Sequence, residues 1–400
     1  MHAKALLFAS EWRSALGSVL YGAVLLTAIA GCAAAPVIAP VAATKPVFTI
    51  ASQATASAVS PAQILPLVPA EAKPVRRDGF IAVLLPGKSK AMRPAVEAIK
   101  AGVLAAEKTN GSADVPVVKI FDTDDVPAEV FEQYQQLQQQ GAIAVIGPLT
   151  KPSINYLADV GDFDIPVIGL NSFDEKTLRR AQLYSFSLSI EQEAQQIARQ
   201  MFDDGLRMPL VLQGDSPLAG RMVQGFVDSW KEANGTKPTI FTLKDARSQA
   251  QALRAQLKDG EHDSVFFAAG SRQTRISRPF VGNERPVYAT SQINPGALSR
   301  TARVDMNGIR YLETPWILQP SNSEYALLNR NRSKSNDVER LFALGVDAWK
   351  LAVLLSKHAE VDFDGLSGHI TLGSGGLIER ELTLNTFSSA EESAPVAPIP

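Results

Sequence analysis

The 400-residue chain has one cysteine, Cys32, and four histidines. A single cysteine excludes an internal disulfide, so the fold must stand on its hydrophobic core. His262, His358 and His369 are scattered without ligand spacing, so no zinc or other metal is expected. Charge of one sign is not in excess: 39 basic residues meet 41 acidic ones, for a net charge of −2. No electrostatic footprint for nucleic acid is left. The sequence has no G-x-S-x-G elbow and no thiol besides Cys32. Enzymatic chemistry therefore finds little support, and the expectation is a non-enzyme without a cofactor.

What is present begins with an export signal. Lys4 and Arg13 precede an apolar segment, Val19 to Ile29, that is short for a membrane span and ends in small residues. Ile29-Ala30-Gly31-Cys32 resembles the bacterial lipobox, in which the cysteine is lipidated and becomes the first mature residue. Cys32 is therefore the expected lipidation site, and residues 1–31 the signal peptide. Ala33 follows it, and under the lipoprotein sorting rule a residue other than Asp there favours the outer membrane. Residues 32–78 are rich in Ala, Pro, Val, Thr and Ser, with Pro at 36, 40, 46, 61, 66, 69 and 74. No helical or strand period survives there, as expected of a disordered tether. The tail from 388 to 400 has similar composition.

The chain is 46% hydrophobic, and from Phe80 onward its apolar runs are organised into strand-then-helix units. FIAVLLP, VPVVKIFDT, Ala142 to Ile146 and Ile165 to Leu170 read as strands, with helices over Pro94–Lys108, Pro127–Gln140 and Pro152–Val160. Their apolar runs do not alternate, which argues for parallel sheet buried on both faces. After LYSFSLS the series restarts. Helices are expected over Glu191–Asp204, Leu218–Asn234, Arg247–Lys258 and Arg272–Phe280, alternating with strands PLVLQGD, TIFTL, SVFFAAG and PVYATSQ. Two such series imply an α/β fold of two similar lobes, each a largely parallel sheet with helices on both faces. The last segment holds extended GIRYLETPWIL, a helix over Val338–His358, and a hairpin of HITLG with ERELTLNTF. It is expected to complete the first lobe, giving lobe 1 as 79–188 plus 316–387 and lobe 2 as 189–315. Two lobes with several crossovers resemble type I periplasmic binding proteins.

Ligands of open parallel sheets bind beyond the carboxyl ends of the strands. The residues there are small or polar: Lys88, Ser89, Thr150, Asn171 and Ser172 in the first lobe, and Gln213, Asp215, Ser271 and Gln292 in the second. These are the candidate cleft residues, although the same residue types serve as plain turn chemistry. Pro86-Gly87-Lys88-Ser89 is no phosphate loop, because Ala82 stands where the first glycine is needed. Asp122, Asp124 and Asp125 lack the further donor and glycine of a calcium loop, and helix capping explains them better. Trp316 fits core packing better than a cleft wall.

Several runs resemble the C-terminal domain of the penicillin-binding protein activator lipoproteins. They are GAIAVIGPLTKPSINYLA with PVIGLN, LYSFSLSIEQEAQQIARQMFDDGLRMPLVLQGDSPLAGRMVQGFVDSW, YATSQ, MNGIRYLETPWILQP, RLFALGVDAWKLA and GLSGHITLGSGGLIEREL. The likeness covers about residues 79 to 387. It implies an outer-membrane lipoprotein facing the periplasm that stimulates a class A penicillin-binding protein, the bifunctional peptidoglycan synthase. Larger family members carry an N-terminal domain of helical repeats, whereas only the tether is expected in that place here. The alternative is a solute-binding lipoprotein that closes on a small ligand such as an amino acid or a peptidoglycan fragment. On either reading the membrane is met through the lipid anchor only, with no nucleic acid partner.

Overall fold

A computed structural model describes residues 79–110, 115–174, 180–245, 247–258, 260–328 and 332–388. The expected signal peptide, Cys32, the tether and nearly all of the tail lie outside the described residues. The first series runs β1 (Phe80–Leu85), α1 (Arg93–Asn110), β2 (Val117–Asp122), α2 (Pro127–Gln139), β3 (Ala142–Ile146), α3 (Lys151–Val160), β4 (Val167–Gly169) and β5 (Leu183–Ser185). The second runs α4 (Ile190–Asp203), β6 (Pro209–Gln213), α5 (Pro217–Asn234), β7 (Thr239–Thr242), α6 (Ala250–Lys258), β8 (Ser264–Ala268), α7 (Ser271–Val281), β9 (Val287–Ala289), α8 (Arg300–Asp305) and β10 (Ile309–Glu313). The chain closes with α9 (Pro315–Leu318), α10 (Ser323–Ala326), α11 (Asn336–Ser356), β11 (Asp362–Asp364), β12 (His369–Leu372), β13 (Ile378–Glu381) and β14 (Thr383–Thr386). Among the described residues, no helix is long and apolar enough to cross a membrane.

The first sheet has strand order β2-β1-β3-β4-β5, and the second β14-β10-β9-β8-β6-β7. Read from β7, the second repeats the order of the first and adds β14. Each lobe therefore reverses strand order at its first and third strands, where open α/β sheets place ligands. Pleating sends alternate residues of β1 to opposite cores. Ile81, Val83 and Leu85 pack with α1 and α11, whereas Phe80, Ala82 and Leu84 pack with α2 and α3. In the second lobe Val211, Phe266, Ala268, Tyr288 and Leu312 pack with α4 and α5. Leu210, Leu212, Val265 and Phe267 face α6 and α7 instead. Doubly covered strands explain the unbroken apolar runs.

Two expectations need correction. The segment 316–387 does not return wholly to the first lobe. Strand β14 pairs antiparallel with β10 on the second sheet, Leu312 opposite Leu384, and Phe387 stacks on Tyr311 at a centroid distance of 4.4 Å. ERELTLNTF is thus two strands divided at Leu382, where the chain changes lobe; only β13 pairs with β12. The aspartates after β2 do not cap the next helix. The N-cap of α2 is Val126, without a side-chain bond, while Asp122 pairs with Lys100 at 2.6 Å and Asp124 with Lys88 at 2.8 Å.

Helix α11 crosses α1 at paired glycines. A Cβ on Gly345 would stand 2.3 Å from the Ile99 carbonyl oxygen, and one on Gly102 2.1 Å from that of Phe342. Helix propensity alone would favour alanine by about 1 kcal/mol. The backbone approach reverses that sign, because neither carbonyl can move without parting the helices. Gly345→Ala should therefore destabilise by about 1–3 kcal/mol or more in urea unfolding. Unchanged or raised stability would contradict this packing.

Candidate functional site

The strand-end residues are placed by the reversal of strand order, but much of their chemistry is spent locally. Lys88 is held by Asp124, both half exposed, and the Ser89 amide closes a turn onto the Pro86 carbonyl. Thr150 is the N-cap of α3, and its hydroxyl meets Ser153 at 3.3 Å. Asn171 donates to the Leu149 carbonyl at 3.0 Å and accepts from the Ser172 amide at 2.9 Å, stapling the loop after β4 to the loop after β3. Gln213 ends β6, where its carbonyl accepts from Leu243. Gln292 lies half buried in the turn after β9. Trp316 packs in the first-lobe core against Phe342 and Tyr325 and donates to Glu339 at 2.7 Å.

Two cavities take up the remaining candidates. One, of about 560 Å³, is lined by Asp215, Ser216, Lys244, Gly270, Ser271 and Arg272 among others. All its walls belong to the second lobe. It sits where that sheet reverses order, at the ends of β6 and β8. The other, of about 670 Å³, lies between the lobes. Ser172, Lys151 and Asp174 form its first-lobe wall, whereas helices α4 and α5 form the other through Glu191, Gln192, Gln195, Gln224 and Asp228. The structure thus joins Asp215 with Ser271 and leaves Ser172 facing helices rather than second-lobe strand ends.

The strongest polar chemistry lies at the crossovers, in residues the sequence did not single out. Arg340, on first-lobe helix α11, reaches into the second lobe. Its guanidinium bonds both carboxylate oxygens of Glu313, at 3.0 and 2.7 Å, and the carbonyls of Ser291 and Asn294, each at 2.9 Å. Arg340 is 3% exposed and Glu313 0%. Glu313 also accepts from the Thr314 amide and from Asn294. Glu193 on α4 accepts from the amide and hydroxyl of Ser291; burial pushes its carboxyl above the usual range, against the pull of Arg380 and Arg340.

Each chain crossing is held by one such side chain. Arg380 donates to the Ser187 carbonyl on the first crossover, at 2.9 Å. Glu313 grips Thr314 on the second. Gln196 clasps the backbone of Leu382 on the third, donating to its carbonyl at 2.7 Å and accepting from its amide at 3.0 Å. Arg380 also donates to the Ser367 carbonyl, and Asp347 fixes Ser367 by accepting from its amide and hydroxyl at 2.7 and 2.6 Å. The signal was available: Arg340 and Asp347, seven apart in RLFALGVDAWKLA, place charge inside an apolar helix.

Removing one partner of a buried ion pair leaves the other charge uncompensated. Arg340→Met should cost about 3–5 kcal/mol in urea unfolding, with part recovered by adding Glu313→Leu. A loss below about 1 kcal/mol would contradict the tie between the lobes. Burial pushes the Asp347 carboxyl up to about 6, against the donors Ser367 and Leu366 and the charge of Lys350. The folded state then holds this proton more tightly than the unfolded chain. Its stabilising contribution is present below about pH 4 and is lost as pH rises through about 6. The stability difference between the unaltered protein and Asp347→Asn should therefore move against the unaltered protein between pH 4 and pH 7; movement in its favour would contradict the assignment.

A family model described as "LppC putative lipoprotein" matches residues 50–390. The penicillin-binding protein activator LpoA of Pasteurella multocida is 28% identical over 318 residues, covering 77% of this chain and 53% of that protein. That of Klebsiella pneumoniae is 27% identical over 320 residues, covering 70% and 44%. The chain spans about half the length of the curated relatives it matches. Among solved structures, the LpoA C-domain of Haemophilus influenzae, described as a regulator of PBP1A, superposes with a TM-score of 0.66 at 23% identity. The match covers 77% of this chain and 97% of that one. A protein of Chromobacterium violaceum, described as a "putative branched-chain amino acid ABC transporter", gives 0.68 at 32% identity over 77% of this chain and 99% of that one. These likenesses bear out the two-lobed, periplasmic-binding-protein-like fold, and with the match over residues 50–390 the chain belongs to the LppC lipoprotein family.

Proposed function

We propose that this lipoprotein binds a class A penicillin-binding protein in the periplasm and stimulates its synthesis of peptidoglycan. Membership of the LppC family carries the reading, since the relatives matched across the same two lobes are named as penicillin-binding protein activators. The tied crossovers support it. A body whose lobes are held by buried Arg340–Glu313 bonds presents a fixed surface to a partner. The protein acts as a regulator, with no catalytic step of its own. Activation requires that it bind the active synthase more tightly than the inactive form. A tenfold gain in a sparsely populated active state needs about 1.4 kcal/mol of such preference.

Lipid on Cys32 would hold the protein at the outer membrane, facing the periplasm. Residues 33–78 would then span roughly 40 Å as a flexible coil and roughly 140 Å as an extended polyproline-like chain, letting the lobes reach a synthase below. Cys32→Ser should shift the protein from the membrane to the soluble periplasmic fraction. Retention at the membrane would sink the anchor.

A second reading, a solute-binding lipoprotein, is favoured by the likeness to the Chromobacterium violaceum protein and by the cavity at Asp215 and Ser271. Glycan polymerisation by the organism's own class A synthase, with and without the full chain, tests the first reading. A saturable, dose-dependent rise is expected. No rise from a folded protein, together with a thermal shift of several degrees on adding an amino acid or a peptidoglycan fragment, would establish the second instead.

A further inference from the structure

The two helical layers on the second sheet differ in charge. Helices α4 and α5, on one face, carry three basic and five acidic residues. Helices α6, α7 and α8 carry seven basic residues and one acid, Asp305. The layer is basic although the chain as a whole has a net charge of −2. Asp305 pairs with Arg275 at 3.5 Å, and Arg278 is turned inward onto Asn283. Arg254, Lys258, Arg272 and Arg300 are exposed on the outer side, where Arg254 lies over the Phe280 ring.

Local rules do not favour this arrangement. Arg272 and Arg300 stand in the first turns of α7 and α8, where the helix dipole disfavours cations. Arg272 with Arg275, and Arg300 with Arg303, are like-charged pairs three residues apart. Sequences break such rules mainly where an outside group makes up the loss. On the same two helices, α7 and α8, two apolar side chains reach solvent, Ile276 at 37% and Val304 at 53% exposure. The cavity at Ser271 opens beside them, with Lys244, Arg272 and Ile276 on its wall. Two carboxylates share that wall: Asp215, and Asp245, which is turned to the amides of its own loop at Arg247 and Ser248.

We propose that the outer face of α6, α7 and α8 is the surface on which the lipoprotein docks an acidic, carboxylate-rich surface of its synthase, with Ile276 and Val304 at the centre of the contact. This rests on the activator reading above. Arginine and small apolar groups ringed by charge suit the core of a protein interface. A face that inserts into membrane would present Trp, Phe or Leu, and the exposed positions here carry none. The adjoining cavity gives one acidic side chain of the partner a concave seat between Lys244 and Arg272.

The test uses the full chain and the purified class A synthase. Arg272→Glu/Arg300→Glu should weaken binding by on the order of tenfold or more, with thermal unfolding unchanged or shifted upward. Lys231→Glu/Lys357→Glu, on α5 and at the end of α11, makes the same change in net charge away from this face and should leave affinity within about threefold. Unaltered affinity in the folded first variant would overturn the inference while leaving the activator reading intact. Failure of the unaltered protein to bind the synthase would overturn both. Loss of binding to phosphatidylglycerol vesicles, with synthase binding kept, would reassign the face to the membrane and overturn the proposal.

Discussion

The most deeply buried polar tie between the two lobes is made by Arg340. It springs from a helix of the first lobe and ends among acceptors of the second, bonded to Glu313, Ser291 and Asn294. A buried guanidinium is tolerable only when nearly all its donors are met, and here they are. Three chain crossings 186–189, 314 and 382 would by themselves make a hinge. Arg380, Glu313 and Gln196 each fix the backbone of one of them, and relative motion of the lobes must also break the buried Arg340–Glu313 bonds.

That constraint separates two uses of one fold. A solute trap needs cheap relative motion of its lobes and strand-end groups free to converge on a ligand. In this chain several strand-end groups are engaged with one another's loops, Asn171 being the clearest case through the Leu149 carbonyl. The polar investment has gone to the crossovers instead. A regulator gains from such stiffness, because a partner then meets a preformed surface and loses less entropy on docking.

The α/β layout was legible in the sequence because doubly covered strands such as FIAVLL cannot alternate, and because the unit recurs. The destination of ERELTLNTF was not legible. Leu382 carries no Gly or Pro signal, yet the chain changes lobe there under the grip of Gln196, a residue nearly two hundred positions away. The strand-end candidates were placed by topology, but whether each faces a cavity or its own loop is decided by tertiary contacts. Arg340 and Asp347 stand out as charges within an apolar helix, but that they tie the crossovers follows only from the partners α11 meets in the fold. Glu313 looks like an ordinary strand terminus.

Lobes tied in this way should be fixed in solution without a partner. Spin labels at Glu132→Cys in the first lobe and Lys231→Cys in the second, with Cys32 changed to Ser, would report their separation by pulsed dipolar spectroscopy. A single narrow distance is expected, broadening when Arg340→Met is added. Two separated distance populations with the Arg340 network intact would show lobes that open and close freely, and would contradict the account.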